Sequence, residues 1–144
     1  MAYHNASSLE NISMTDLSIR KIPDLYEGDH LPFSACVIFS NLIFVSGTPG
    51  IRQDRSFATT FFAQAHDAFR NLNHVLRRAG SCAEDVLKTS VFLVDSDHLA
   101  QMNELYCEFF NFKQKPARTT IIAHELPDPA MLIEIDCIAV KKND

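Results

Sequence analysis

The stretch PARTTIIAHELPDPAMLIEIDCIAV (residues 116–140) decides the fold, because it holds two β-rich runs on either side of a proline-bounded turn. Pro116 stops any preceding helix, since proline lacks a backbone N–H and its ring clashes with a helical backbone. The runs RTTIIAH (118–124) and MLIEIDCIAV (131–140) flank a Pro-Asp-Pro turn at 127–129. We predict that the two runs are the last strands of a sheet.

The run 131–140 has two chemically different faces, because successive strand residues point to opposite sides. One face is apolar, with Met131, Ile133, Ile135 and Cys137, and the other carries Leu132, Glu134, Asp136, Ile138 and Val140. A face that is half apolar and half acidic suits a subunit interface lined with a wet cleft better than it suits open solvent. We therefore expect a homo-oligomer.

Three further strands are predicted upstream. LSIRK (17–21) alternates weakly, and two β-rich runs at 33–39 and 42–46 are separated by Ser40-Asn41. Asparagine tolerates a positive φ, so this dipeptide indicates a tight hairpin. The run at 42–46 is apolar apart from its last residue, which predicts a strand buried on both faces. The following segment, 47–58, is rich in turn-forming residues and is expected to be an exposed loop of the kind on which sites concentrate.

A long amphipathic helix follows this loop. Its apolar stripe consists of Phe62, Ala65, Phe69, Leu72, Leu76 and Ala79. This spacing is typical of about five helical turns. Thr59 or Thr60 is expected to cap the start and Gly80 to close the end. Residues 81–84 then resemble a capping box for one short turn.

A strand at 86–94 and a second helix at 97–112 complete the predicted elements. Ser96 or Asp97 is expected to cap this helix. Its apolar stripe includes Leu99, Met102, Tyr106, Phe109 and Phe110. The order β-ββ-loop-α-β-α-ββ predicts an α+β domain, with helices covering one face of a single mixed sheet. We expect a single domain over 17–144, preceded by a flexible tail over 1–16.

The composition excludes several classes of protein. The chain has 144 residues, 13 basic and 18 acidic, for a formal charge of −5, which argues against nucleic acid as the main partner. No run approaches the length of a membrane span. The four cysteines have no metal-site spacing, and none of the six histidines forms a close ligand pair, so no metal site is predicted. Isolated cysteines in apolar runs indicate a reducing compartment, and we expect the cytoplasm.

Alternate residues of the strand 118–124 could form an anion-binding surface. Arg118, Thr120, Ile122 and His124 share one face. A guanidinium matches a carboxylate with two parallel hydrogen bonds, so Arg118 is a candidate anchor for an anionic substrate. The alternative is an exposed strand end or a structural pair with an acid such as Glu134. His124 is either a second acid–base group or a structural histidine at the strand end.

Glu134 lies inside the most apolar strand of the chain. Partial burial would raise its pKa and make it a usable proton shuttle near neutrality. The alternative is a carboxylate that faces solvent or pairs with arginine. If the strands 118–124 and 131–140 lie side by side with even residues on a common face, Arg118 and Glu134 line one cavity. A slip of one residue would place them on opposite faces.

Four other residues are candidates for substrate contact. Asn103 lies next to the apolar stripe of the second helix, where it could donate to a substrate carbonyl or face solvent. Phe33 either walls a pocket or packs in the core. Ser46 and Gly47 end a buried strand, and Gly47 either allows a ligand close to the backbone or is a plain turn residue.

Four segments of the chain resemble the reactive intermediate deaminase family, also called RidA or YjgF. These are LPFSACVIFSNLIFVSG (31–47), VLKTSVFLVD (86–95), MNELYCEFF (102–110) and the stretch 116–140. The resemblance runs from Ser18 to Val140. It implies a chorismate-mutase-like fold of six strands with two helices on one face, assembled as a homotrimer with clefts between subunits.

The resemblance also implies an activity. Active family members hydrolyse enamines or imines to release ammonia, without a metal or an organic cofactor. By resemblance, Arg118 holds the substrate carboxylate and Glu134 positions and deprotonates the attacking water. Asn103, Ser46, Gly47 and the backbone at Thr120 fall on family pocket positions.

The chain departs from the family pattern at three places. Phe33 stands where many members have tyrosine, Thr48 stands where the best-known members have glutamine, and the family's ARSC-like stretch reads ARTT at 117–120. The combination of SGT at 46–48 with the pattern RTTxxxHxLPxPxxLIEI at 118–135 is more similar to the 2-aminomuconate deaminase branch, whose substrate is a six-carbon dicarboxylate enamine.

Three functions remain open from the sequence. The first is a deaminase acting on a small carboxylate-bearing enamine or imine, either 2-iminobutanoate-like or 2-aminomuconate-like. The second is a non-catalytic or chaperone-like protein that holds a small carboxylate in the same pocket. The third is a lyase, isomerase or hydrolase acting on a ring-fission-type carboxylate, with His124 as a second proton donor.

Overall fold

A computed structural model describes residues 18–142 of the chain. The predicted tail over 1–16 lies outside the described residues, as does Leu17 at the start of the predicted first strand. The strands are β1 (Ile19–Ile22), β2 (Cys36–Phe39), β3 (Leu42–Pro49), β4 (Val86–Leu93), β5 (Ala117–Ile122) and β6 (Ile133–Val140), and the helices are α1 (Phe61–Ala79) and α2 (Leu99–Phe109).

The six strands form one mixed sheet in the order β1-β2-β3-β6-β4-β5. All neighbouring strands are antiparallel except β4 and β5, which are parallel. A parallel pair needs a crossover, and α2 supplies it. The last strand along the chain is thus inserted between β3 and β4. The predicted α+β class with a six-stranded mixed sheet is confirmed.

Both helices cover the same face of the sheet. Strand β6 alternates strictly between buried and half-buried residues, and its buried side chains, including Ile133 and Ile135, belong to the core under α1. The opposite sheet face has no helix, so Phe44 of β3 is 43% exposed there. The prediction that the run 42–46 is buried on both faces is therefore wrong for the single chain.

The ends of α1 follow the sequence prediction. The Thr60 hydroxyl accepts a hydrogen bond from the Ala63 N–H, and Gly80 closes the helix at φ 85°, a conformation that glycine adopts without steric cost. One stripe residue is wrong, because Phe61 is buried and Phe62 is 52% exposed. Because Phe61 and Phe62 are adjacent, the sequence does not show which of the two lies on the buried side of the helix.

Two predicted caps differ from the observed ones. The Ser81 hydroxyl donates to the Val140 carbonyl at 2.8 Å, and the 3-10 turn at 83–85 has no side-chain cap, so the capping box at 81–84 is wrong. Before α2, a 3-10 turn at 96–98 is capped by Asp95, not by Ser96 or Asp97. The extra turn also leaves Leu99 38% exposed rather than on the buried stripe.

Two strand limits and the hairpin also need correction. Strand β2 begins at Cys36, so residues 33–35 precede it, and β5 ends at Ile122. The hairpin between β2 and β3 is present, but Ser40 has the positive φ of 56° that was expected of asparagine. Neither helix in the described part of the chain is long and apolar enough to cross a membrane.

Candidate functional site

The site is built around a bulge in β3. Val45 lies opposite Cys137 and Thr48 lies opposite Ile135, so two residues of β3 face one residue of β6. Those two residues are Ser46 and Gly47. The Ser46 hydroxyl donates to the Ser34 carbonyl at 2.7 Å, and the Thr48 hydroxyl donates to the Ser46 carbonyl at 2.9 Å. Bulges redirect side chains and are common beside active sites.

The carboxyl group of Glu134 lies directly over Gly47. A Cβ atom at position 47 would lie 2.7 Å from both Cδ and Oε1 of Glu134, so a side chain there would displace the carboxylate. Glycine at position 47 is therefore required by the position of Glu134, and the predicted approach of a ligand to Gly47 stays a prediction. Within the protomer, the group that lies close to Gly47 is the carboxyl of Glu134.

Glu134 is half-buried on the helix-free face of the sheet. Within residues 18–142 its carboxylate has no ion-pair partner. Burial raises the pKa of Glu134 above its ordinary value, and the negative charge of Asp136 raises this pKa further. The predicted direction of the pKa shift is confirmed.

Glu134 lines a cleft of about 720 Å³. The lining residues are Leu25, Asp29, Leu31, Phe33, Ala35, Ser46, Gly47, Thr48, Pro49, Ile51, Arg55, Phe57, Val75, Pro127, Asp128, Met131 and Glu134. Phe33 is 51% exposed within this lining, so it walls the cleft and does not pack in the core. The loop at 47–58 contributes a large part of the wall, as expected of a site loop.

Two buried amides of α1 hold the cleft wall in place. Gln64 donates to the carbonyls of Ala58 and Ala130 at 3.1 and 2.9 Å and accepts from the Leu132 N–H. Asn71, on the same helix, donates to the carbonyls at positions 49 and 51. The sequence analysis missed both residues. Their signal was two polar side chains, seven positions apart, on the buried face of an otherwise apolar stripe.

A second missed feature is the ion pair between Asp29 and Arg55 in the cleft wall. The Asp29 carboxylate also accepts from the Tyr26 N–H at 3.0 Å, and the Arg55 guanidinium lies 5.8 Å from the centroid of the Tyr26 ring. Arg55 has a φ of 71°, a conformation that non-glycine residues adopt at a cost. The pair joins the segment before β2 to the loop after β3.

Arg118 lies elsewhere, beside α2. It is opposite Thr89 of β4, and its guanidinium is 3.9 Å from Sδ of Met102 and 4.7 Å from the centroid of the Tyr106 ring. Asn103 follows Met102 on α2 and is half-buried. Thr120 is half-buried on the same side of β5 as Arg118. The structure thus brings Arg118, Thr120 and Asn103 to one edge of the protomer.

Arg118 and Glu134 do not share a cavity within one chain. The strands β5 and β6 are not side by side, because β4 lies between them. Arg118 contacts α2 on the helix-covered face, whereas Glu134 lies on the opposite face. The conditional prediction of one intrachain cavity is wrong, because it assumed that consecutive strands are neighbours. The protomer therefore carries the predicted site residues in two separate groups.

His124 belongs to neither group. It lies two positions beyond the end of β5 in an exposed bend and does not line the cleft. His124 was predicted to share the face of the strand that carries Arg118. This prediction is wrong, because β5 ends at Ile122. Among residues 18–142, no cluster of three or more acidic, histidine or cysteine side chains could hold a metal ion.

The chain is similar to a well-populated group of proteins. A family model described as endoribonuclease L-PSP matches residues 29–141. The protein mmf2, mitochondrial, of Schizosaccharomyces pombe is 38% identical over 112 residues, which are 76% of this chain and 88% of that protein. The RutC family protein UK114 of Drosophila melanogaster is 36% identical over 111 residues, covering 76% of this chain and 79% of that protein.

A solved structure gives the same result for the fold. The crystal structure of YyfA from Yersinia pestis, described as a protein of unknown function of the conserved Rid family, has a TM-score of 0.79 at 25% identity. The match covers 85% of this chain and 99% of that chain. The six-stranded sheet with two helices on one face is therefore the chorismate-mutase-like fold of YjgF proteins.

Proposed function

This chain belongs to the endoribonuclease L-PSP family, the family of the RidA, YjgF and UK114 proteins, and from this premise we propose that it is an enamine/imine deaminase. The proposed reaction hydrolyses the C=N bond of a small carboxylate-bearing substrate to a keto acid and ammonia. The substrate is 2-iminobutanoate-like or 2-aminomuconate-like. The observation that carries the proposal is the half-buried, unpaired Glu134 carboxylate of raised pKa in the cleft.

The chemistry needs a group that both takes and gives protons. An enamine first tautomerises to an imine, and water then adds to the carbon of the C=N bond as its proton passes to the Glu134 carboxylate. The Glu134 carboxylic acid gives this proton to nitrogen, which yields a carbinolamine. The Glu134 carboxylate then carries the remaining hydroxyl proton to nitrogen, the C–N bond breaks, and ammonia leaves as the carbonyl forms. A carboxyl group whose pKa is raised toward neutrality can act in both directions. No cofactor is required in this scheme.

The separation of Arg118 from Glu134 is the reason for proposing shared sites. A substrate that needs both side chains must lie between two copies of the chain. The helix-free sheet face supports such an assembly, because Phe39, Phe44 and Ile121 are each at least 40% exposed on it. We take the assembly to be a homotrimer, in which Arg118, Asn103 and Thr120 of one subunit complete the cleft that Phe33, Ser46, Gly47 and Glu134 form in another.

Cleavage of RNA, which the family description names, is less compatible with this cleft. Among the described residues that line the cleft, Asp29, Asp128 and Glu134 carry carboxylates. The arginine in this set, Arg55, is paired with Asp29. Arg118 of a neighbouring subunit would add one unpaired cation, which can hold a carboxylate group, whereas binding a phosphodiester backbone needs several unpaired cations. The free cysteines are consistent with a reducing compartment, and we propose the cytoplasm.

The proposal is tested by ammonia release from a panel of amino-acid-derived and ring-fission-derived enamines. We expect the wild type to release ammonia faster than the uncatalysed reaction and Arg118→Ala to lose this activity while staying folded. No ammonia above background across the panel would refute the deaminase. No ammonia above background, together with tight binding of a small carboxylate that Arg118→Ala loses, would favour the non-catalytic binding function.

The proposed assembly is tested with a matched pair of substitutions. Phe44→Asp places a charge on the helix-free sheet face, whereas Phe62→Asp places the same charge on the exposed side of α1. We expect sedimentation to show a trimer for the wild type and for Phe62→Asp, and smaller species for Phe44→Asp. A wild-type chain that sediments as a monomer would rule out the shared site.

A further inference from the structure

The guanidinium of Arg118 rests on an aromatic surface. It lies 4.7 Å from the centroid of the Tyr106 ring and 3.9 Å from Sδ of Met102, both on α2. A cation over a ring face is attracted by the ring's negative charge distribution. Nη1 of the guanidinium donates to Sδ of Met102, and within residues 18–142 its other N–H groups make no hydrogen bond, so they remain able to bind a carboxylate.

The ring itself is fixed by the core. Tyr106 is only 3% exposed, and its hydroxyl is 2.8 Å from the hydroxyl of the fully buried Thr89. The rings of Phe69 and Phe110 pack against it at centroid distances of 6.2 and 4.6 Å. Burial raises the pKa of Tyr106, so its hydroxyl stays neutral at physiological pH. The ring is therefore a rigid support rather than a reacting group.

An exposed arginine needs such a support if it is to hold a substrate in one geometry. Its long side chain samples many rotamers in solvent, and this freedom is lost when it binds a carboxylate. We propose that Tyr106 is the positioning residue that fixes Arg118 for the substrate carboxylate. This inference rests on the proposed function and adds to it the residue that sets how tightly the carboxylate is held.

The experiment compares three variants of the oligomeric protein. Tyr106→Leu removes the ring face, and Tyr106→Phe keeps the ring and removes the hydroxyl. Phe61→Leu is the control, because it removes a buried aromatic ring that stacks on His98 and not on Tyr106. The readouts are KM and kcat for ammonia release, and the Kd of 2-oxobutanoate, a keto acid of the proposed product class, by calorimetry. The calorimetric readout does not depend on turnover.

We expect Tyr106→Leu to raise KM and the Kd of 2-oxobutanoate by about three- to tenfold, the range of a partly exposed cation–π contact, with kcat at saturation changed less than twofold. Tyr106→Phe and Phe61→Leu should both leave KM and Kd near the wild-type values. In an Arg118→Ala background, Tyr106→Leu should add no further loss, because the two residues act as one unit.

An unchanged Kd in Tyr106→Leu, an equal rise in Phe61→Leu, or an additive loss in the Arg118→Ala background would overturn the proposal. Failure of the proposed function gives a different result. In that case the wild type releases no ammonia, and the effect of Tyr106→Leu on 2-oxobutanoate binding still decides whether the ring positions Arg118.

Discussion

Glu134 shows how the surroundings of a single residue set its chemistry. Its neighbours on β6 are apolar, its carboxyl lies over a glycine, and the nearby Asp136 disfavours a second negative charge. Burial is the larger cost to the ionised form and the charge of Asp136 adds to it, so the pKa of the Glu134 carboxyl is raised. A general base of raised pKa transfers protons more effectively near neutral pH.

Replacing Glu134 with glutamine keeps the shape of the side chain and removes its proton transfer. We expect Glu134→Gln to lower kcat by about 10²- to 10⁴-fold, the usual contribution of a positioned acid–base group. Binding of 2-oxobutanoate should persist, because Arg118 is unchanged. The acid limb of the wild-type kcat/KM profile should lie above the ordinary glutamate pKa of 4.5. Wild-type kcat in Glu134→Gln would show that another residue moves the proton.

Glu134→Gln is expected to lower kcat but to raise the stability of the folded state as pH rises. A carboxyl whose pKa is raised on folding favours the folded state most below its unfolded pKa, and this contribution is lost as pH rises through the raised folded pKa. Glu134→Gln should therefore gain stability relative to the wild type between about pH 4 and about pH 8. Urea unfolding midpoints at the two pH values measure this difference. A difference that shrinks as pH rises would mean that the charged form is stabilised by folding.

Gly47 is the second residue whose identity the geometry dictates. Gly47→Ala would put a methyl group within 2.7 Å of the Glu134 carboxyl and force it to move. We expect kcat to fall by about 10²-fold, as for a displaced catalytic group, with little loss of stability. Gly28→Asn, at a glycine with no atom within 4 Å of its added Cβ, is the control and should retain activity. Equal kinetics in both variants would show that the position of the carboxyl over Gly47 is unimportant.

At the scale of elements, α1 is a scaffold for the cleft as well as a core helix. Gln64 connects the end of the site loop with the turn before β6 through three hydrogen bonds. Gln64→Leu would leave buried backbone groups unpaired, so we expect a loss of about 2–4 kcal/mol in the free energy of unfolding. Urea unfolding measures this loss. Gln101→Leu, at an exposed position of α2, is the matched control and should be nearly neutral.

Periodicity and capping residues were sufficient to predict the helices and strands, but not which strands are neighbours in the sheet. The limits of α1, with Thr60 and Gly80 at its ends, and the two faces of β6 followed from periodicity and capping chemistry. The insertion of β6 between β3 and β4 did not, because strand order depends on long-range packing that alternation along one strand does not encode. This is why the sequence alone left open whether Arg118 and Glu134 line one cavity or lie on opposite faces of the sheet.

The site was predictable to a similar degree. Glu134 and Gly47 stood out because a charge in an apolar strand and a glycine at a strand end are unusual. The bulge that brings them together has no marker in the sequence, since it depends on the register between β3 and β6. The ion pair of Asp29 with Arg55 was also invisible, because its partners are far apart in the chain and lie in irregular segments.

At the scale of the whole molecule, the division of the site residues into two groups makes the assembly part of the mechanism. In the proposed trimer, the cleft of one subunit supplies Glu134 and the edge of another supplies Arg118 beside α2. In a cyclic trimer every subunit would use both surfaces once, because the interface is head-to-tail. Two inactive variants with defects on opposite surfaces should therefore complement each other.

The complementation experiment uses Arg118→Ala and Glu134→Gln, each inactive as a pure oligomer. When the two chains are co-expressed in equal amounts, half of the clefts have an intact Glu134, and half of these face an intact Arg118. Random mixing should then restore about one quarter of the wild-type activity. Mixing preformed oligomers without subunit exchange is the control and should restore none. Absence of recovery in co-expressed oligomers shown by mass spectrometry to be mixed would require Arg118 and Glu134 to act from the same chain, which their positions on opposite faces of the sheet oppose.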